Sequence, residues 1–236
     1  MSGEERRRAL VTGGGSGVGF AIARELAKAH EVTVLGRDRA KLEATGLRAI
    51  VADVADPALV IDGAFDVVVN NAGIVRSSPF QKQSDADWSD MWRTNVMGAV
   101  HVTRLVLPHM RAQGWGRIVN VASTASLKGY AYVSAYVASK HALLGLTRAL
   151  AVELVGTGIT VNAVCPGYAD TDIVRDAVAT IVSKTGRSED EARASFLNPQ
   201  GRLIQPDEVA AAVAYLLSDA AGSVTGQALA IAGGEL

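Results

Sequence analysis

Short apolar runs, most of them rich in β-branched residues, alternate with helical patterns along the whole chain. Because most runs are apolar at nearly every position, the pattern predicts parallel strands with both faces covered, rather than strands with one face in water. The predicted strands span residues 9–12, 32–35, 49–52, 66–70, 117–122, 160–165 and 228–232. Alternating strands and helices predict right-handed crossovers, and therefore an α/β fold with one doubly wound parallel sheet of about seven strands and helices on both faces.

Three helical patterns stand out between these runs, at residues 17–29, 85–113 and 134–155. The interval from 56 to 66 leaves room for barely two helical turns, so a third crossover helix is predicted to be unusually short. The chain shows no internal repeat and no Pro- or Ser-rich linker, so we predict that residues 1–236 form a single domain.

Composition and charge exclude several classes of protein. The 23 basic and 24 acidic residues leave a net charge of −1, so no overall field favours nucleic acid or an anionic membrane. No segment approaches the roughly 20 apolar residues of a membrane span, and glycines interrupt any signal-like apolar run after the arginine-containing residues 1–8. We therefore expect a cytoplasmic protein that binds neither nucleic acid nor membrane.

Disulfide and metal chemistry are not expected either. The single cysteine, Cys165, excludes an internal disulfide, and its apolar surroundings predict a core residue rather than a nucleophile. The four histidines have no metal-ligand spacing, so no metal site is predicted.

A glycine-rich turn joins the first predicted strand to the first helix and reads Thr12-Gly13-Gly14-Gly15-Ser16-Gly17-Val18-Gly19. Glycines let the backbone turn sharply and approach a pyrophosphate, whose charge is favoured by a helix N-terminus. The spacing is not a strict G-x-G-x-x-G, and no Gly-Lys-Ser/Thr follows it as in a P-loop. The position of the turn between a strand and a helix predicts a dinucleotide site.

The second predicted strand ends at Gly36-Arg37-Asp38, where an open sheet of this kind meets the adenosine ribose. An acidic residue at this tip binds the ribose hydroxyls of NAD, whereas an arginine suits the 2′-phosphate of NADP. Because Arg37 holds the tip position, we predict NADP. The alternative is NAD, with Arg37 stacked on adenine and Asp38 on the ribose.

A serine, a tyrosine and a lysine have a spacing that suits acid–base chemistry. Ser123 lies thirteen residues before Tyr136, and Tyr136 lies four residues before Lys140. Residues four apart share one face of a helix, so the phenol and the ammonium can reach one cavity. A free phenol has a pKa of about 10, and a nearby cation favours the phenolate. The spacing alone also occurs by chance in helices.

Taken with several other motifs, these residues resemble the classical short-chain dehydrogenase/reductase family, from Thr12 to Gly234. The motifs that carry the resemblance are T-G-x-x-x-G-x-G at 12–19, Asp53, Asn70-Asn71-Ala72-Gly73, Asn95, Ser123, Tyr136, Lys140 and Pro166-Gly167-Tyr168-Ala169-Asp170-Thr171. The resemblance implies a Rossmann fold and an NAD(P)-dependent oxidoreductase. Such an enzyme transfers a hydride between nicotinamide and a carbonyl or secondary alcohol.

The resemblance also implies a role for each matching catalytic residue. Ser123 would polarise the substrate oxygen and Tyr136 would be the general acid or base. Lys140 would bind the nicotinamide ribose and lower the pKa of Tyr136. Asn95 would hold a water in a relay from Lys140 through the backbone of its helix; the alternative is an amide that bridges two helices.

The cofactor contacts implied by the resemblance follow the turn and the strand ends. Asp53 would meet adenine, and Asn71 to Gly73 would line the adenosine side. Pro166, Gly167 and Thr171 would hold the carboxamide and select the ring face that delivers hydride. The full predicted set is Gly13, Gly15, Ser16, Gly17, Val18, Gly19, Arg37, Asp53, Val54, Asn71, Ala72, Gly73, Tyr136, Lys140, Pro166, Gly167 and Thr171.

One position departs from the family pattern. Ala232 precedes Gly233-Gly234, where the family often has an aspartate. We expect this region to lie far from the chemistry and to affect only packing or subunit contacts.

The predicted substrate contacts are Ser123, Leu127, Tyr130, Tyr136 and Tyr168, a mostly apolar set with few groups to bind a sugar. The chain resembles reductases of 3-oxoacyl thioesters and 3-hydroxyacyl-CoA dehydrogenases, so a 3-oxoacyl-CoA or -ACP reductase is the main expectation. One alternative is an NAD-linked dehydrogenase of a simple cyclic or aliphatic secondary alcohol. A cofactor-sensing binding protein without catalysis is another, although such a protein need not keep the catalytic residues.

Residues 168–206 interrupt the strand–helix alternation after the sixth strand, where open sheets bind ligands. We predict a substrate lid here, with a mainly oligomeric contact as the alternative. Its basic residues suit a phosphate-bearing carrier, but its acidic residues suit an ordinary solvated helix pair equally well. On the long helices, five apolar positions exceed what one sheet face absorbs and predict a homotetramer or homodimer: Val96, Val100, Leu143, Leu144 and Leu146.

Overall fold

The computed structural model describes residues 6–236, so most of the predicted basic lead-in, residues 1–5, lies outside the described part. One seven-stranded sheet of parallel strands has the order β3-β2-β1-β4-β5-β6-β7. The strands are β1 Arg8–Thr12, β2 Glu31–Gly36, β3 Arg48–Val51, β4 Val67–Asn70, β5 Gly116–Val121, β6 Ile159–Pro166 and β7 Ala228–Ile231. The predicted fold class is confirmed, and each predicted strand is present within two residues at either end.

Two apolar layers cover the sheet because neighbouring residues of a strand point to opposite faces. On one face, Val11 packs with residues of α1 (Gly17–Leu26) and α8 (Pro206–Leu217). On the other, Leu10 packs with residues of α4 (Gly98–Gln113) and α5 (Ser134–Glu153). Burial of both faces explains why the strands lack polar alternation.

The predicted helix at 85–113 is continuous but not uniform. It comprises α3 (Asp85–Trp92), a π-helical turn (Arg93–Met97) and α4. The capping box of Ser84 and Asp87 starts α3, and Gly114 ends α4 in the left-handed conformation.

The short helix predicted between 56 and 66 is wrong, because local capping turns replace it. The Asp53 carboxylate accepts from Ala55 N at 2.9 Å and that of Asp56 from Ala58 N at 2.8 Å. Pro57 has no backbone donor, and Gly63 has φ +121°. The short helix α2 (Arg39–Glu43) belongs to the preceding connection, between β2 and β3.

Residues 168–206 contain two helices, α6 (Asp172–Thr185) and α7 (Glu189–Ala194), as expected of a helical insertion. A bridge between Ala169 and Ile204 closes the base of the insertion. Cys165 is buried in β6, as predicted for a core residue. No helix of residues 6–236 combines the length and the apolar character that crossing a membrane requires.

Candidate active site

Two adjoining cavities lie at the carboxyl ends of the strands. The tyrosine cavity, of about 410 Å³, contains Tyr136 and Lys140, and the arginine cavity, also about 410 Å³, contains Arg37 and Asp53. Both are lined by Gly13, Ser16, Ala72, Gly73 and Ile74, so they form one elongated groove. Open parallel sheets bind ligands at this edge.

The glycine turn is the shared wall of the two cavities, and side chains of neighbouring strands hold its shape. Gly13 has φ +65°, and a Cβ there would lie 2.8 Å from Asn71 Nδ2. Asn71 Nδ2 donates to Thr12 O at 3.0 Å, while Thr12 Oγ1 accepts from the backbone N–H groups of Asn71 and Ala72 at 3.0 Å each. The backbone can therefore approach a ligand closely at the start of α1.

Ser16 occupies the N-cap of α1, and its side chain makes no capping hydrogen bond. The first N–H groups of α1 and the Ser16 hydroxyl therefore face the groove, an arrangement that suits a phosphate oxygen. Gly17, with φ +53°, sits against Thr171: a Cβ on Gly17 would lie 3.2 Å from Thr171 Cγ2. The turn and the base of the insertion thus meet over the groove.

In the arginine cavity, the Arg37 side chain is 67% exposed and its Nη1 lies 3.9 Å from Asp53 Oδ2. The Asp38 carboxylate accepts from Lys41 N at 3.1 Å and so caps α2. The exposed Arg37 guanidinium can still bind an anion, whereas the Asp38 carboxylate is already engaged as a helix cap. The end of β2 is therefore better suited to a phosphate than to the hydroxyls of a ribose. Predicted residues Gly15 and Val54 also line this cavity.

Ser123, Tyr136 and Lys140 meet in the tyrosine cavity. Ser123 follows β5 and Tyr136 lies in the first turn of α5. Lys140, one turn later, is buried, and its Nζ donates to Val121 O at 2.8 Å and lies 5.7 Å from the Tyr136 ring centroid. The sequence spacing therefore predicts the grouping of these three side chains correctly.

Burial controls the titration of both groups. It lowers the pKa of Lys140 to about 8 and raises the pKa of Tyr136, while the Ser123 hydroxyl acts on Tyr136 in the opposite direction. Lys140, 5.7 Å from the ring centroid, is not among the groups that shift the pKa of Tyr136 in this arrangement, and its predicted effect on that pKa stays a prediction.

Asn95 lies in the π-helical turn, a feature frequent at functional sites. Its Nδ2 donates to Ile74 O and to Ser139 Oγ, each at 2.9 Å, and its Oδ1 accepts from Ile74 N at 2.8 Å. The Asn95 amide thus connects its own helix to α5 and to the segment after β4. This is the arrangement expected of an amide that bridges two helices. The water relay through the backbone stays a prediction.

At the opposite wall, Gly167 N donates to Ile231 O at 3.0 Å and Thr171 is the N-cap residue of α6. Pro166, Gly167 and Thr171 all line the tyrosine cavity, as do Val18 and Gly19. The residues predicted to hold the carboxamide are therefore on the same cavity as Tyr136.

Only some of the residues predicted to contact the substrate line the tyrosine cavity. Tyr130 and Tyr168 line the tyrosine cavity, edge to face with ring centroids 6.2 Å apart. Leu127 does not line it: this residue ends the 3₁₀ turn Thr124–Ser126 and is 37% exposed. Its role as a substrate contact stays a prediction, which the cavity lining does not favour.

Several cavity residues were not predicted. Ile74, Val75, Ile173 and Val174 supply much of the apolar wall. Their positions in the sequence could have indicated them, because Ile74 follows the motif that ends at Gly73 and Ile173 lies just after the motif that ends at Thr171. Glu235, which does not line the cavity but accepts a hydrogen bond from Tyr130, gave no such signal.

The expectation that the Gly233-Gly234 region lies far from the chemistry is wrong. The Glu235 carboxylate accepts a hydrogen bond from the Tyr130 hydroxyl, and a Cβ on Gly167 would lie 2.9 Å from Glu235 Oε2. The parallel pairing of β7 with β6 brings the end of β7 beside Gly167, which spacing along the chain does not reveal.

The fold and this site define the class of the protein. The short chain dehydrogenase family model matches residues 7–181, and the chain belongs to that family. It is therefore an oxidoreductase that acts on alcohol or carbonyl groups with a nicotinamide cofactor.

Three relatives cover nearly the whole chain. It is 38% identical to an acetoacetyl-CoA reductase of Rhizobium meliloti, over 97% of this chain and 98% of the relative. It is 37% identical to a D-beta-hydroxybutyrate dehydrogenase of Cupriavidus necator, over 93% and 94%. The solved structure of an actinorhodin polyketide ketoreductase with NADPH matches with a TM-score of 0.90 and 38% identity, over 100% and 99% of the two chains.

Proposed function

We propose that this chain is an NADPH-dependent reductase of 3-oxoacyl thioesters, with Tyr136 as the proton donor. The observation that carries the proposal is the tyrosine cavity, where Ser123, Tyr136 and Lys140 meet an apolar wall at the end of a dinucleotide-shaped groove. The acetoacetyl-CoA reductase and the polyketide ketoreductase to which the chain is similar support a 3-oxoacyl thioester substrate.

The residues along the groove fit the cofactor. The N-terminus of α1 and the Ser16 hydroxyl would hold the pyrophosphate, and Arg37 would bind the 2′-phosphate. Pro166, Gly167 and Thr171 would hold the carboxamide, and Lys140 the nicotinamide ribose. When bound, the nicotinamide supplies the hydride.

The remaining chemistry belongs to side chains of this chain. The Ser123 hydroxyl would hold and polarise the substrate carbonyl oxygen, and the Tyr136 hydroxyl would donate its proton to that oxygen. Burial raises the pKa of Tyr136 and so favours the protonated phenol, which is the form that this step requires. Lys140 carries positive charge below pH 8 and would stabilise the phenolate that forms.

The charges around the tyrosine cavity favour a neutral substrate. Among the described residues that line it, Lys140 is the one lysine or arginine, and the proposed mechanism commits it to the nicotinamide ribose and to Tyr136. The one acidic lining residue, Asp172, is paired with Arg175 at 2.7 Å. A free 3-oxo acid would leave its carboxylate without an available cation, whereas a thioester carries no charge beside the reacting carbonyl.

Two of the insertion's basic residues are already engaged within the chain. Arg175 pairs with Asp170 and Asp172, and Arg202 forms a two-pronged pair with Glu208 at 2.6 and 2.8 Å. These pairs favour the solvated-helix interpretation over a carrier-docking one. We therefore propose that the acyl chain and its thioester, rather than the phosphate-bearing carrier, provide recognition.

The first experiment follows oxidation of NADPH or NADH with acetoacetyl-CoA, its N-acetylcysteamine thioester, acetoacetate and a cyclic ketone. Turnover of both thioesters with NADPH, and little with acetoacetate, is expected. Turnover of acetoacetate alone would overturn the neutral-substrate argument. Turnover of the cyclic ketone alone with NADH would support the secondary-alcohol alternative.

We also propose that the chain forms a homodimer or homotetramer. The exposed residues that support this proposal are not among the five apolar positions predicted from the sequence. Val96, Leu143 and Leu144 are buried within the chain, whereas Val152 and Val155 are 76% and 71% exposed. Sedimentation velocity should give a species larger than one chain, and a strictly monomeric species would contradict the proposal. The single-domain organisation and the cytoplasmic location stay predictions.

A further inference from the structure

The segment after β7 folds back over the substrate side of the tyrosine cavity. Residues 232–235, here called the closing turn, are joined by a hydrogen bond from Glu235 N to Ala232 O at 3.2 Å. Gly233 and Gly234 take left-handed φ values of +57° and +85°. A Cβ on Gly233 would collide with the Asn198 side chain of the insertion. The closing turn therefore packs directly against the insertion.

The Glu235 side chain, only 16% exposed, is the polar centre of this contact. Its carboxylate accepts from the Tyr130 hydroxyl and lies 3.1 Å from Lys128 Nζ, which also donates to Glu235 O at 3.1 Å. The Tyr130 hydroxyl also lies 2.6 Å from Thr124 Oγ1. Glu235 thus contacts Lys128 and Tyr130 directly and is linked to Thr124 through Tyr130. All three lie between β5 and α5, distant from Glu235 in sequence.

Tyr130 transmits this contact to the cavity. Its ring lines the tyrosine cavity and contacts the edge of Tyr168, which in turn contacts Phe196 at 4.9 Å between centroids. The segment that carries Tyr130 is irregular and contains Tyr132 at φ +68°. Without a regular element to orient it, the ring depends on the bonds at its hydroxyl end.

We propose that Glu235 is a positioning residue that sets the substrate-side wall of the active site through Tyr130. This inference rests on the proposed reductase function, and it adds a determinant of substrate affinity from outside the family motifs. Burial raises the pKa of Tyr130, and Glu235 raises it further, so the link has its own spectroscopic signature.

The test compares Glu235→Gln, Tyr130→Phe and the double variant, with Glu153→Gln as a matched control on an exposed ion pair with Arg111. For a neutral thioester, Glu235→Gln should raise KM about fivefold to twentyfold, with kcat and the NADPH Kd within about twofold. The increase should be absent in the Tyr130→Phe background, and Glu153→Gln should match the wild type. An unchanged KM, or an equal increase in both backgrounds, would overturn the proposal.

A second readout does not need the substrate. In an alkaline titration of tyrosinate absorbance, Glu235→Gln should move the ionisation of Tyr130 to lower pH, although burial still holds it above its ordinary value, and Tyr130→Phe should remove that step. Identical titrations for Glu235→Gln and wild type would sink the link between Glu235 and Tyr130. If the wild type reduces no thioester, the proposed function fails, while this titration still decides the link.

Discussion

The two ends of the groove are built in different ways. The arginine cavity is lined mainly by strand ends and by the turns that follow them, and four of its lining residues are glycines, which present only backbone. At the tyrosine cavity, the substrate side is lined by residues from 124–133 and 166–174, with the closing turn in contact with Tyr130, and it depends on side chains. The first end is suited to a constant cofactor and the second to a substrate that differs between relatives.

The largest expected effect is a loss of catalysis without a loss of cofactor binding. Tyr136→Phe removes the proton donor and leaves the groove intact, so thioester reduction should fall about 10³-fold. Binding of NADPH, measured by its fluorescence, should stay within about twofold of wild type. Retained turnover would show that another group donates the proton.

The next effect should appear only at the arginine cavity. Arg37→Gln should raise the KM for NADPH about 10-fold to 100-fold and leave the KM for NADH nearly unchanged, because only NADPH carries the 2′-phosphate. Arg39→Gln, which loses an exposed pair with Glu43, is the matched control and should behave as wild type. A loss of both cofactors together would instead assign Arg37 to adenine.

A third effect follows from the buried lysine. Since the pKa of Lys140 is lowered to about 8, kcat/KM for reduction should fall above that pH, by about tenfold per unit. Below pH 8 the lysine is charged in the folded and unfolded states, and its burial costs stability. That cost is relieved between pH 8 and the ordinary value of 10.5.

The measurement is a pH–rate profile of the wild type with the melting temperatures of wild type and Lys140→Met. The stability difference between the two proteins should change in favour of wild type as pH rises above 8. A profile that is flat up to pH 10 would contradict the assigned pKa.

The smallest expected effect tests which residues contact the substrate in the tyrosine cavity. Leu127→Ala should change kcat/KM by less than about twofold, because Leu127 does not line the cavity. Ile173→Ala removes a lining side chain and should raise the substrate KM about threefold to tenfold. Equal losses for both variants would mean that the substrate extends over the 3₁₀ turn Thr124–Ser126.

The sequence predicted most of the groove because its parts are local. A strand, its end and the following turn are adjacent in the chain, so Gly13, Arg37 and Ser123 could be placed from apolar runs and spacing. Glu235 could not, since its partner Tyr130 lies on another strand connection and a glutamate after two glycines is typical of a surface turn. Leu127 shows the converse, because it lies four residues from Ser123 in sequence and yet does not line the tyrosine cavity.

The tie between Thr12 and Asn71 also links cofactor binding to stability. Its partners lie 59 residues apart, and the hydrogen bond requires β1 to lie beside β4. The unfolded chain therefore does not hold the glycine turn in this shape, and a dinucleotide that binds the turn stabilises the native state. NADPH at a hundred times its Kd would add about 2.7 kcal/mol to the free energy of unfolding.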